Sequence, residues 1–319
     1  MDYINYVKQS PVQGLTGLYG GVQGSLMAGG GGPAFHGGRG MLISDGNGGD
    51  KLGYITIANT GNSQAFGDLT QGYQNSLSAY SNGGRGVMHG GGASPRSNID
   101  YWTISSTGNA SDFGDSSYSE TTRASFCNGE RGGSAGGGYP IVNHMDYVTI
   151  KTTGNASNFG DMTSAYRAPG GNCFNLDRSL FCGGGDPGAS AIQYMDPGTT
   201  GDASNFGSLT HSTYWKQGTS GDDDFTRGVF SGGFEGLNKI EYVTIMSTGN
   251  ASSFGTLSQD RWGMATCTNG TRACLAGGYN APGSNNNIWY ITIASTGNSS
   301  DFGDLAGSGS YGGAGCSGD

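Results

Sequence analysis

Apolar positions in this chain come singly or in twos, and they alternate with polar ones. In "YVTI" (147–150) Tyr and Thr point to one side and Val and Ile to the other, the period of two expected of a strand. The same alternation appears in "YITI" (54–57), "YVTI" (242–245) and "YITI" (290–293). Each run is short, rich in β-branched and aromatic residues, and bounded by Gly, Asn, Thr or Ser. Glycine interrupts every window in which an apolar spacing of 3.6 would build a helix, so strands are predicted throughout.

The strand pattern repeats. A Thr-Gly-Asn-like element places Gly at 61, 108, 154, 201, 249 and 297, in steps of 47, 46, 47, 48 and 48 residues. Seven residues before each Gly stands a Tyr (54, 101, 147, 194, 242, 290), and five after it a Phe followed by Gly (66, 113, 159, 206, 254, 302). Within one period four strands are legible: "GMATCTN" (263–269), "TRACLAGG" (271–278), "IWYITIA" (288–294) and "SDFGDL" (300–305). Asn269-Gly270 reads as a hairpin turn, and Thr-Gly-Asn as a turn whose residues tolerate positive φ. Four antiparallel strands per period of this length predict an all-β protein, a β-propeller of six four-stranded blades.

Ring closure is also written in the sequence. Cys316 lies 19 residues past Gly297, as Cys127 and Cys173 lie 19 past Gly108 and Gly154. No double-glycine strand follows it, so the C-terminal strand is expected to complete a blade begun near the N-terminus, which removes exposed edges. Residues 33–319 form the predicted propeller. Residues 1–32 have two readings: a degenerate seventh blade, because "DYINYV" and "GSLMAGGGG" echo blade strands, or an arm that grips a neighbouring subunit.

Composition narrows the function. Gly supplies 65 of 319 residues without a Gly-X-Y period, which excludes collagen. Charged residues are 12% of the chain, with 17 Tyr and 13 Phe, a balance that favours a folded core over disorder. A net charge of −9 and the absence of a basic patch argue against nucleic acid as partner. No run approaches 18 apolar residues, and "MDYINYVKQS" lacks the make-up of a signal peptide, so synthesis in a cytoplasm and no membrane insertion are expected.

The order of features resembles a known family. "GVMHGGG", "GGSAGGG", "SLFCGGG", "GVFSGG" and "ACLAGG" close a second strand with glycines. "NIDYWTI", "HMDYVTI" and "KIEYVTI" put an acidic residue and Tyr in the third, and one aromatic ends the blade. This resembles the kelch repeat over roughly residues 33–305, most closely at "YMDPGTTGDASNF" (194–206), with Phe where kelch usually has Trp and with more glycine. "EYVTIMSTGNASSFGTLS" (241–258) is similar to repeats in tail-fibre and other virion proteins of marine bacteriophages, notably cyanophages. That resemblance implies a non-enzymatic virion structural protein, a homo-oligomer that binds a host-surface glycan or protein receptor or another virion protein. A cellular kelch-type interaction module and a carbohydrate-active propeller enzyme are the alternatives.

Candidate chemistry is sparse. Cys127, Cys173, Cys267 and Cys316 share one repeat position, where two copies carry Tyr80 and Ser220, which suits packing at the hub. Cys182 and Cys274 face Cys across hairpins, and no C-x-x-C spacing suggests zinc. His36, His89, His144 and His211 occupy different repeat positions and are not expected to converge, so no catalytic set, cofactor or metal is assigned. The N-x-S motifs at Asn109, Asn155, Asn250 and Asn298 recur with the turn and read as turn chemistry. The repeated Arg (39, 85, 131, 178, 227, 272) is expected to pair or stack between blades, with Asp100, Asp146 and Glu241 as partners. Recognition is expected where the repeat breaks: Tyr214 and Trp215 beside the acidic loop Asp222, Asp223 and Asp224, Trp262 after Arg261, the insertion "YNAPGSNNNIW", and the N-terminal arm.

Overall fold

A computed structural model describes residues 36–43, 50–72, 78–91, 96–185, 188–219, 226–234, 237–280, 283–307, 309 and 312–319. Both readings of residues 1–32 and the acidic loop Asp222–Asp224 therefore lie outside the described residues. The described chain has no helix and forms six four-stranded antiparallel sheets arranged as a six-bladed β-propeller. The innermost strands of successive blades touch one another in a closed circle. Blade 1 combines Ala314–Gly318 with Arg39–Ile43, Lys51–Thr56 and Gln64–Asp68. Blade 2 runs from Ser78 to Glu120, blade 3 from Ala124 to Asp161 and blade 4 from Gly170 to Thr213. Blade 5 runs from Gln217 to Thr256 and blade 6 from Ala265 to Asp304.

The C-terminal strand closes the ring as the repeat spacing predicts. Cys316 pairs with Met41 and Arg39 with Gly318. Beyond the sheet, Asp319 N donates to Gly83 O at 2.9 Å and Ser81 Oγ to Ser317 O at 2.5 Å, so the last residues are tied to blade 2 as well.

Each blade has one face against each neighbour, and the core is accordingly split into slabs between blades. Met41, Leu52 and Phe66 of blade 1 pack on Met88, Trp102 and Ile104 of blade 2, and the other five junctions carry equivalent clusters. Burying each such side chain contributes about 1.5–3 kcal/mol. The repeated Phe reaches its slab through a bulge. In blade 1 Leu52 faces Gly67 and Gly53 faces Ala65, which leaves Phe66 unopposed and turned inward, 4% exposed. The same register shift recurs in the other five blades.

The three sequence markers meet in this geometry. The repeated Tyr stands edge-on to the Phe, with ring centroids 6.1 Å apart for Tyr54–Phe66 and 5.6 Å for Tyr147–Phe159. The repeated Arg lies over its own blade's Tyr, at 4.2 Å for Arg178–Tyr194 and 4.9 Å for Arg131–Tyr147. It then donates to a backbone carbonyl of the next blade: Arg39 to Ile104 O, Arg85 to Ile150 O, Arg131 to Gly198 O, Arg178 to Ile245 O, Arg227 to Ile293 O and Arg272 to Ile57 O. The expected pairing of these arginines with Asp100, Asp146 and Glu241 does not occur. Those carboxylates point into the junction with the preceding blade, and the arginines find carbonyls instead.

The Thr-Gly-Asn element is an inter-blade joint. Its Asn or Asp Oδ1 accepts the backbone N–H that follows the Phe-Gly pair of the preceding blade: Asn109 from Asp68, Asn155 from Asp115, Asp202 from Asp161, Asn250 from Ser208, Asn298 from Thr256 and Asn62 from Asp304. In five of the junctions its Gly N–H donates to the carbonyl of the repeated Phe, as in Gly249 N to Phe206 O at 2.9 Å. Its Gly carbonyl sits so close to the glycine after Phe that a Cβ there would lie 2.0 Å from the oxygen at Gly207 or Gly255. That contact explains why glycine follows every repeated Phe. The expected positive φ does not carry the turn: the only positive values at its glycines are 158° at Gly61 and 156° at Gly154, near extended backbone, and no turn Asn has one.

Two neighbouring glycines separate this contact from general glycine effects. Gly255→Ala drives a methyl into Gly297 O, whereas the space at Gly249 is open within 4 Å. Urea unfolding is expected to cost about 1–3 kcal/mol for Gly255→Ala and under about 1 kcal/mol for Gly249→Ala.

Candidate functional site

The two faces of the ring differ. One carries the Thr-Gly-Asn turns, which repeat around the circle, and the hairpins between first and second strands. The opposite face carries the links from each fourth strand to the next blade and the hairpins between second and third strands. Tyr214, Trp215, Trp262 and Tyr279 lie on that face.

Even on that face a rule governs the junctions. Four blades carry an acceptor one residue before the repeated Tyr. Asp100 takes the N–H of Thr70, Asp146 that of Ser117, Gln193 that of Thr163 and Glu241 that of Thr210. In these blades Ala110, Ala156, Ala203 and Ala251 follow the turn Asn or Asp. Blades 6 and 1 carry Trp289 and Gly53 at the acceptor position, and there a serine replaces that alanine. Ser299 Oγ accepts from Ser258 N at 3.1 Å and Ser63 Oγ from Ala306 N at 2.8 Å. The same N–H is thus satisfied by one of two side chains in every junction.

Between blades 2 and 3 lies a polar network that runs from the core to the surface. Asp146 is fully buried and accepts from Ser134 Oγ at 2.7 Å and from the N–H and hydroxyl of Ser117. His89, also fully buried, shares a hydrogen bond with Tyr80 Oη at 2.7 Å and one with Ser116 Oγ at 3.0 Å, and its Nδ1 lies 3.6 Å from Asp146. His144 reaches the same Ser117 hydroxyl at 3.0 Å. Histidines at different repeat positions do therefore converge here, because the end of a second strand in blade 2 and the start of a third strand in blade 3 border one junction. Burial pushes the His89 ring down to about 4, so it is neutral at pH 7. Burial would raise Asp146, but the His89 ring, the Arg123 guanidinium and the serine hydrogen bonds outweigh it and hold the carboxyl low.

Glu120 and Arg123 complete this network. Arg123 Nη1 lies 3.9 Å from Asp146, while its Nε lies 4.0 Å from Glu120. Among the described residues Glu120 Oε1 has no hydrogen-bond partner. One guanidinium thus stands between two carboxylates, and Asp146 has the hydrogen bonds.

The junction between blades 4 and 5 holds a second charge cluster. Lys216, fully buried, lies 2.9 Å from Glu241 and donates to Gly232 O at 3.1 Å. His211 Nδ1 stands 3.6 Å from the same carboxylate. Burial lowers both Lys216 and His211. Of these groups only Lys216 was not singled out from sequence; its signal is that it immediately follows Trp215 in the link where the repeat changes.

Tyr214, Trp215 and Trp262, chosen because they break the repeat, come together. Tyr214 stacks on Phe234 at 4.5 Å, Trp215 meets Trp262 edge-on at 5.1 Å, and Phe234 and Tyr279 lie 5.4 and 5.1 Å from Trp262. Trp215 is 6% exposed with a left-handed φ of 60°, so it forms the floor. Tyr214, Trp262, Phe234 and Tyr279 are half-buried around it. Tyr279 belongs to the insertion, whose short hairpin Tyr279–Asn280 and Gly283–Ser284 bridges back to Trp262. The glycines closing the second strands make room for these links: a Cβ on Gly232, φ 67°, would lie 2.3 Å from Arg261 O.

All six cysteines are buried and unbridged. Among the described residues no three His, Cys, Asp or Glu side chains gather as a metal-ligand set, and no helix is long and apolar enough to cross a membrane. No family model matches the chain, and no curated protein matches it.

A pH experiment reads the blade 2–3 network. Burial pushes Glu120 up to about 7 from an ordinary value of 4.5, with Asp146 adding to the rise and Arg123 opposing it. The folded value exceeds the unfolded one, so this contribution is complete below pH 4.5 and is lost as pH rises through 7. Glu120→Gln keeps the shape without the charge. Its melting temperature relative to wild type is expected to rise by several degrees from pH 4.5 to pH 8. A constant difference would mean that Glu120 does not titrate in this window.

Proposed function

We propose that this chain is a non-enzymatic recognition propeller, a bacteriophage virion structural protein whose link face binds a host-surface glycan or protein receptor or another virion protein. The observation that carries this reading is the aromatic cluster around Trp262. Five aromatic rings from the region of blades 4 to 6 meet where the repeat breaks, and four of them are half-buried rather than sealed in the core. Half-exposed rings over a rigid floor suit saccharide and protein contacts, because they offer a large contact area at small cost in side-chain entropy. The rest of the ring favours a structural role, since its repeated spacing serves blade-to-blade bonds. The likeness of its repeat to kelch and cyanophage virion repeats supports the family and the setting, and a homo-oligomer belongs to the same reading.

The carboxylate and histidine network between blades 2 and 3 fits a non-enzymatic role, since Asp146 and His89 are both fully buried and hydrogen-bonded to protein groups.

The test is adsorption of the purified full chain to bacterial cells and to their isolated surface polysaccharides, with tryptophan fluorescence as readout. Trp262→Ala is expected to weaken binding at least about tenfold, as for an aromatic anchor, while Tyr118→Ala on the far side of the ring leaves it unchanged. Light scattering is expected to return an oligomer. A strictly monomeric protein that cleaves a polysaccharide would overturn the reading.

A further inference from the structure

The seam where blade 6 meets blade 1 contains a cleft of about 280 Å³, lined among others by Lys51, Gly53, Ser63, Gln64, Leu305 and Ala306. It lies where four other junctions insert an acceptor side chain and where blade 6 inserts Trp289 against blade 5. Among the described residues no side chain fills that place at Gly53. Neither backbone nor crowding demands glycine there. Gly53 has no positive φ, and a Cβ would meet nothing closer than 3.5 Å. The glycines that do answer to close approach, such as Gly255, would put a Cβ 2.0 Å from another backbone atom.

The surroundings are otherwise prepared as in the blade that carries the indole. Ser63 satisfies Ala306 N just as Ser299 satisfies Ser258 N. That N–H is already paired with Ser63 and is not left for a carboxylate as it is at the four acceptor junctions, whereas a ring needs no such donor. At the neighbouring junction the ring of Trp289 fills the corresponding space, 4% exposed, with the Arg261 guanidinium 5.3 Å from it. At the seam Lys51, held by Asp50 at 2.9 Å and Asp68 at 2.7 Å, lines the cleft.

We infer that the seam cleft is a docking site for an aromatic side chain of a partner protein, inserted between blades 6 and 1 where Trp289 of this chain fills the adjacent junction. The site is separate from the Trp262 cluster and does not depend on the reading of that cluster. An inserted aromatic anchor is a common centre of a protein interface.

The test uses the ¹⁵N-labelled full chain titrated with N-acetyltryptophanamide, with glucose as a hydroxyl-rich control. Saturable shifts are expected at the amides of Gly53, Ser63 and Ala306 with the indole compound and none with glucose. Gly53→Trp fills the cleft from within. It is expected to abolish those shifts and to raise the melting temperature, and Gly53→Leu serves the same purpose if the larger residue does not fold. Trp262→Ala is expected to keep the shifts, so failure here and failure of the recognition reading are distinguishable. Absence of saturable shifts in wild type, shifts that persist in the filled variants, or a response to glucose instead would overturn the inference.

Discussion

The architecture depends on the docking of each Thr-Gly-Asn turn against the fourth strand of the blade before it. A propeller leaves the outer strand of every blade with an unpaired edge, and an unpaired edge is both a stability cost and an aggregation template. Here the next blade covers part of that edge with three contacts at once. The turn glycine donates to the Phe carbonyl, the Asn side chain accepts the N–H that follows the Phe-Gly pair, and the glycine carbonyl rests on the glycine after Phe. The last contact tolerates no side chain. The bulge that admits it also turns Phe into the slab between blades, so edge capping and core packing share one residue pair.

Much of this was legible in the sequence. The period fixed the blade count, and the spacing of Cys316 foretold that the last strand would join the first blade. The alternation in "YVTI" assigned its faces correctly, since Val243 and Ile245 are buried and Thr244 is exposed. What the markers do was less legible. The glycine after Phe was visible as a regularity, but the carbonyl that requires it comes from about 40 residues away, on another blade. The repeated Arg was assigned acidic partners that stood near it in sequence. Its guanidinium instead lies over Tyr and reaches a carbonyl some 65 residues on, as Arg85 does to Ile150.

The candidate site divides the same way. Tyr214, Trp215 and Trp262 were found by looking for departures from the repeat, and the fold brings them together with Phe234 and Tyr279. The meeting of His89 and His144 was missed, because repeat position says which strand a residue occupies and not which residues of the next blade border it. The exchange of Asp, Gln or Glu with Ala for Gly53 or Trp289 with Ser was hidden for the same reason. It is visible once the acceptor and the turn are known to serve the same N–H.

Native-state hydrogen exchange on the edge-strand amides of Asp68, Asp115, Asp161, Ser208, Thr256 and Asp304 tests the central claim most directly. If neighbouring turns hold the ring together, these outermost amides, bonded to Asn or Asp side chains of the next blade, exchange only through global unfolding, with protection close to that of the innermost strands. Exchange at the rate of exposed loop amides would contradict the account, since it would mean that the turns rest on the blades without fastening them.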